Sequence, residues 1–261
     1  MSKKINSDEK LISMRDWQYG VLGIKSHSKS GSLKHYFDFV RANHNVIGGD
    51  IIESGVYQGG SLIGMGIMLK EIGSSKKIYG YDSFSGFPPV YDENDNFDRF
   101  DDLFKEGRIT EEHYQDVKKN LEWRTELLGV KVNSGSISGS GDFSLTSREL
   151  VEKKIEILGL DNVILVDGPF DKTMVDGAGP EKIMCALMDC DLYQSYVTTF
   201  NFVWPRLVEG GLVYLDEYYS LKFPGARIAT DEFVESHDGA ELERFQSDLG
   251  EFERWGLWKR Y

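Results

Sequence analysis

The chain has 261 residues, 40% of them hydrophobic, enough for one large α/β domain with a sizeable core. Its formal net charge is −13 and its basic clusters are no larger than Lys76-Lys77 or Lys118-Lys119, which argues against nucleic acid or an anionic membrane surface as a partner, since both are bound by concentrated Lys and Arg. No run of about 18 apolar residues could span a bilayer, and residues 1–16 mix Lys, Asp and Glu with isolated apolar residues, so a cytoplasmic protein is expected. Cys185 and Cys190 stand in or beside one predicted strand without a CxxC pairing and read as small core residues.

In chain order, Leu33, Tyr36, Phe37 and Val40 recur at helical spacing and predict an amphipathic helix ahead of the core, within an N-terminal helical segment over 1–49. A first strand over 50–55, a Gly-rich turn, a helix over 61–71 and a second strand over 77–82 make a βαβ unit, whose right-handed crossover sets the strands parallel. The rhythm then breaks: 83–160 reads as an insertion, with a Pro/Asp/Asn/Phe-rich stretch to 102 and helices over 111–128 and 148–158. The second helix opens with a Thr146-x-x-Glu149 capping box. Residues 133–142, with four Ser and three Gly, read as mobile, and an insertion of this length beside a βα unit suggests a substrate lid. Strands resume at 162–167, 183–188 and 212–215 as near-continuous apolar runs, the pattern of strands covered on both faces. Five such strands describe one doubly wound, mostly parallel α/β sheet over 1–261, whose ligands sit beyond the carboxyl ends of the strands.

Two constellations fall at those ends. Glu53-Ser54-Gly55-Val56-Tyr57-Gln58-Gly59-Gly60-Ser61 is a glycine turn leading into a helix N-terminus. It lacks the G-x-G-x-x-G spacing that pyrophosphate needs, and Glu53 would repel phosphate, so a cationic or zwitterionic ligand such as S-adenosylmethionine suits it, with Asp82 on the ribose hydroxyls. The second constellation is Asp189-Cys190-Asp191 with Asp216-Glu217. Four carboxylates at two strand ends suggest a divalent, oxygen-loving ion such as Mg²⁺, although Asp also starts loops in ordinary α/β proteins. The five histidines form no zinc pattern, and exposed positions are expected for His27 and His113. Tyr218 and Lys222 match the Y-x-x-x-K of short-chain dehydrogenases but directly follow a strand, where that pair would lie within a helix. Phe84, Phe87, Tyr91, Phe97 and Phe100 could stack on a sugar or simply pack a lid, and Trp255 with Trp258 reads as packing or a subunit contact.

E-x-G-V-Y-Q-G-G-S from Glu53, Y-D-S-F-x-G-F-P from Tyr81, D-C-D-L-Y from Asp189, G-G-L-V-Y-L-D-E-Y from Gly210 and G-A-R-x-A-x-D-E-F from Gly225 together resemble the macrocin O-methyltransferase family over about 31–233. The glycine turn is also similar to that of catechol O-methyltransferases. The resemblance implies a class I methyltransferase fold, Rossmann-like with a helical lid insertion, and S-adenosylmethionine- and Mg²⁺-dependent methylation of a hydroxyl on a sugar or glycosylated small molecule. It implies metal ligands Asp189, Asp216 and Glu217 and a general base, Asp191; the family more often has Asp where Glu217 stands. The implied cofactor residues are Glu53, Gly55, Tyr57, Gly60, Ser61, Asp82, Ser83 and Gly168. A homo-oligomer, dimer or higher, is expected. An NAD(P)-dependent oxidoreductase and a non-catalytic metal- or nucleotide-binding protein remain the alternatives from other classes.

Overall fold

Apolar runs that alternate between two sheet faces need a cover on each, and the helices supply it. The structure is a computed structural model that describes residues 14–29, 31–246 and 252–260; residues 1–13 of the predicted N-terminal segment lie outside the described residues. The elements are α1 (Asp16–Leu22), α2 (Lys34–Asn43), β1 (Asp50–Ser54), α3 (Gly60–Glu71) and β2 (Ile78–Asp82). The insertion holds a short 3₁₀ turn at Glu93–Asp95, then α4 (Arg99–Lys105), α5 (Glu111–Leu128) and α6 (Ser134–Ile137). There follow α7 (Arg148–Leu158), β3 (Val163–Asp167), α8 (Phe170–Thr173), β4 (Ile183–Met188), α9 (Tyr193–Val203), β5 (Leu207–Leu215), α10 (Pro224–Ser236), β6 (Ala240–Phe245) and β7 (Arg254–Lys259).

The sheet runs β3-β2-β1-β4-β5-β7-β6, with the first five strands parallel and β7 antiparallel to both its neighbours. Strand order reverses between β1 and β4, and that switch point is where a doubly wound sheet opens a crevice at its carboxyl edge. Ile51, Leu187, Leu212 and Tyr214 turn to a core shared with α2, α3 and α7, whereas Ile52, Ala186, Met188, Val213 and Leu215 turn to one shared with α9 and α10. β6 and β7 were not anticipated: β6 mixes Glu and Arg with apolar residues and keeps one face wet, and β7 is a run of only six residues, Arg254–Lys259, charged at both ends. β3, predicted as covered on both faces, is an edge strand and only half-buried. Cys185 and Cys190 are free and buried.

Helix α3 is buried along most of its length, and Gly64 lets the chain at Lys25 cross it closely: a Cβ there would lie 2.4 Å from the Lys25 carbonyl oxygen. At α7 the cap differs from expectation. Ser147, not Thr146, is the N-cap and accepts from Leu150 N at 3.1 Å, while the Thr146 hydroxyl donates to the Tyr57 carbonyl. Because Val151 and Leu158 of α7 enter the main core, the part of 83–160 that stands apart from the sheet ends near 147. That part packs on itself: Phe100, Leu103, Ile109 and Val117 form one small core, and Val132 and Ile137 form another with Leu192 and Phe223. Phe87, Tyr91 and Phe97 pack against the second core, and Phe97 also touches the first. The Ser/Gly stretch over 133–142 is also tied down. It forms α6, receives Arg124 Nη2 on the carbonyls of Ser136 and Ser138, and sends Ser134 Oγ to Asp95 O at 2.9 Å. Among the described residues no helix is long and apolar enough to cross a membrane.

Candidate active site

Parallel pairing carries five of the anticipated residues into one row. Gly168 N donates to Asp82 O (2.9 Å), Gly55 N to Tyr81 O (3.0 Å), Asp189 N to Ser54 O (3.0 Å) and Asp216 N to Met188 O (3.1 Å), so the ends of β3, β2, β1, β4 and β5 are stitched side by side. Gly55 stands at the switch point with φ +89°, and a Cβ there would lie 1.9 Å from the Asp189 carbonyl oxygen. No other residue type fits without moving the strand that carries the acidic cluster.

On the β1–β2 side the carboxylates are engaged by the protein itself. Asp82 Oδ2 accepts from Val56 N (2.7 Å) and Tyr57 N (2.8 Å), and Oδ1 from Phe84 N (2.7 Å), so this side chain shapes the glycine turn and keeps lone pairs for a ligand hydroxyl. Tyr57 has φ +50° and sets its ring edge-on to Phe143. Glu53 is 0% exposed; its Oε1 accepts from Ser61 Oγ at 2.8 Å, while Oε2 is buried with no hydrogen-bond partner among the described residues. Burial, only partly offset by the Ser61 hydroxyl and reinforced by Asp189, pushes its carboxyl up to about 8. The orphaned oxygen therefore suits a cationic ligand group. Ser83 Oγ bonds Gly86 O within its own turn, and Gly60 opens α3 where a Cβ would lie 3.2 Å from Gly23 O.

On the β4–β5 side the carboxylates face one another. Asp189, Asp191 and Glu217 each present an oxygen within 4.8 Å of the others. This trio differs from the ligand set implied by resemblance, because Asp191 stands in it and Asp216 does not. Asp216 lies beside it, with Oδ1 buried and without a hydrogen-bond partner among the described residues, 4.0 Å from Arg254 Nη1. Asp191 is 5% exposed and has φ +59°, with Leu192 N bonded to Cys190 O at 2.6 Å. This is a γ-turn, a strained conformation that turns the side chain back into the cluster. Tyr196 braces the other strand: its hydroxyl donates to Met188 O (3.1 Å) and accepts from Glu217 N (3.3 Å).

Burial raises the carboxyls of Asp189, Asp191 and Glu217, and their mutual repulsion adds to it. Asp189 keeps a strip of solvent contact, so the push is firmest for Asp191. Lys222 enters the same space, with Nζ 3.6 Å from Glu217 Oε1. An ion pair in water would lower the glutamate; here burial outweighs the lysine, and Glu217 still rises. An all-oxygen set of buried, like-charged carboxylates with an orphaned oxygen fits a hard divalent cation.

Several residues at the site were missed or misjudged from the sequence. A cleft of about 260 Å³ beside the cluster is lined by Asn120, Asp216, Glu217, Tyr219, Lys222, Phe252 and Arg254, which come from α5, the loop after β5 and the approach to β7. A second cleft, of about 180 Å³ between α9 and α10, is not lined by any of the cluster's carboxylates. His113, expected to be exposed, is 2% exposed, stacks on Tyr219 at 4.1 Å and bonds Ser220 O through Nε2. His27 is half-buried and pairs with Glu71 at 2.9 Å. The dehydrogenase-like pair does not assemble, since the Tyr218 hydroxyl donates to Asp231 at 2.8 Å whereas Lys222 faces Glu217.

Residues 14–135 and 139–259 match the family described as Macrocin-O-methyltransferase (TylF). The mycinamicin III 3''-O-methyltransferase of Micromonospora griseorubida is 26% identical over 244 residues, covering 92% of this chain and 78% of that protein. The demethyldecarbamoylnovobiocin O-methyltransferase of Streptomyces niveus is 24% identical over 232 residues, covering 87% and 73%. Among solved structures, the O-methyltransferase NovP superposes with a TM-score of 0.59 at 22% identity over 85% of this chain and 78% of its own, a likeness of fold.

Proposed function

The chain belongs to the macrocin O-methyltransferase family, and on that premise we propose that it is an S-adenosylmethionine- and divalent-cation-dependent enzyme that methylates a hydroxyl of a sugar or glycosylated small molecule. The observation that carries this reading is the meeting of the glycine turn and the acidic cluster at Gly55 and Asp189, which brings a cofactor site and a cation site to one crevice. A relative from Streptomyces olivaceus, 26% identical over 217 residues, is named for the 4'-O-methylation of a rhamnosyl-bearing tetracenomycin, and a sugar-bearing acceptor is inferred from that name.

Glu53 Oε2 would accept from the cofactor's ammonium, and Asp82, which holds the turn at Val56 and Tyr57, would accept from its ribose hydroxyls. S-adenosylmethionine supplies an electrophilic methyl group on sulfur. Asp189, Asp216 and Glu217 would hold the cation, and Asp191, aimed by its γ-turn, would take the acceptor's proton. A bound Mg²⁺ would lower the pKa of the acceptor hydroxyl and fix its position. The insertion over 83–147 closes the crevice to water, held to the glycine turn by Thr146 on Tyr57 O and by Gln58 Nε2 on Leu145 O.

The test is direct. Purified protein with S-adenosylmethionine, Mg²⁺ and a panel of sugars and glycosides should release S-adenosylhomocysteine, lose that activity in chelator and regain it with added Mg²⁺. Turnover that persists in chelator, or tight NAD binding with no methyl transfer, would overturn the reading.

A further inference from the structure

Lys222 enters the cluster, and neither cofactor nor acid–base chemistry accounts for it. Its ammonium lies 3.6 Å from Glu217 Oε1, beyond the range of a well-formed hydrogen bond, so the pair is held by charge rather than by fixed geometry. The carboxylate beside it favours the charged form of the ammonium. The backbone beneath it is anchored. Ser220 Oγ accepts from Lys222 N and Phe223 N, both at 3.1 Å, and Ser220 O meets His113 Nε2 at 2.9 Å. The side chain, by contrast, is one-third exposed, passes the Phe223 ring with Nζ 5.1 Å from its centroid, and borders the 260 Å³ cleft.

We infer that Lys222 is a built-in counter-cation of the carboxylate cluster, a place-holder that a divalent ion displaces toward the cleft, and that it thereby sets how tightly the site takes that ion. The inference rests on the cation-dependent reading above. Four carboxylates gathered in low dielectric repel one another, and the Lys222 ammonium, with Arg254 beside Asp216, relieves part of that cost. A divalent ion entering the same oxygens would meet the ammonium's repulsion. Lysine can yield because its four-carbon stem is flexible and its head is a compact point charge. The anchored loop means that only the side chain has to move.

Calorimetric titration of chelator-treated protein with Mg²⁺ and Mn²⁺ tests this on wild type, Lys222→Met and Lys222→Arg. Lys222→Met should bind the divalent ion about 10- to 100-fold more tightly and unfold at a lower temperature than wild type when metal-free, a gap that closes at saturating metal; Lys222→Arg, which keeps the charge, should not gain affinity. Equal or weaker binding by Lys222→Met overturns the inference while leaving the cation reading intact, whereas no divalent binding by any of the three proteins overturns both. If Lys222→Met does not fold, wild type alone decides: acylation of the Lys222 amine, read by peptide mass spectrometry, should rise when Mg²⁺ saturates the protein, and labelling unchanged by Mg²⁺ overturns the inference.

Discussion

At the end of β2, Asp82 receives three backbone N–H groups within 2.8 Å, from Val56, Tyr57 and Phe84; at the ends of β4 and β5, Asp189, Asp191 and Glu217 crowd within 4.8 Å of one another and share a lysine. Both regions place acids at the carboxyl edge of one sheet. The first neutralises its charge with fixed dipoles of the chain, and the second leaves a deficit of positive charge. Backbone donors are part of the fold and make a permanent seat, whereas carboxylates facing each other are stable only with a mobile cation or a bound proton. On the function proposed above, the first region would orient a ligand and the second would hold an ion.

The largest effect should come from the second region. Asp191→Asn keeps the γ-turn, because Asn tolerates a φ of +59°, yet it removes the proton acceptor. The methyl-transfer rate should fall about 10²- to 10⁴-fold with Mg²⁺ affinity near wild type, as rapid-quench kinetics and calorimetry would read. A loss of Mg²⁺ affinity as large as that from Asp216→Asn would instead make Asp191 a ligand, as the geometry of the trio also permits. Gly55→Ala strikes both regions at once, since its methyl would meet Asp189 O and its φ of +89° suits no L side chain. Urea denaturation should show a loss of about 3 kcal/mol or more; wild-type stability would refute the close approach of the two strand ends.

Protonation gives the next effect, roughly 3 kcal/mol. Folded Glu53 keeps its proton up to about pH 8 whereas an ordinary glutamate releases it near 4.5. Between those values the folded state binds the extra proton, so stability should fall as pH rises from about 5 to 8 in protein free of metal and cofactor. Glu53→Gln should flatten that slope relative to wild type; equal slopes would show that Glu53 ionises freely. The smallest change is Asp82→Asn, which replaces an acceptor of three N–H groups by an amide that is uncharged and itself a donor. S-adenosylmethionine binding should weaken by about 1.5 to 3 kcal/mol while Mg²⁺ binding holds, and a parallel loss of Mg²⁺ affinity would erase the distinction between the two regions.

The apolar runs at 183–188 and 212–215, the βαβ spacing around Gly55 and the acids closing each strand were legible in the sequence because strand pairing and chain reversal obey local periodicity. Parallel pairing then aligned Gly168, Asp82, Gly55, Asp189 and Asp216 without further information. Other features had no local signal. The shift of the α7 cap from Thr146 to Ser147 followed from a distant partner, the Tyr57 carbonyl, and the Ser/Gly stretch lost its expected freedom to Arg124 and Asp95. The burial of His113 and the place of Arg254 came from α5 and β7 packing around the loop after β5. By itself the sequence determined which carboxylates reach the carboxyl edge of the sheet. Only the tertiary structure decided which of their oxygens converge and that Lys222 joins them, because convergence depends on a γ-turn, a buried tyrosine and a loop anchored by residues about a hundred positions away, and electrostatic energy depends on distance through space rather than spacing along the chain.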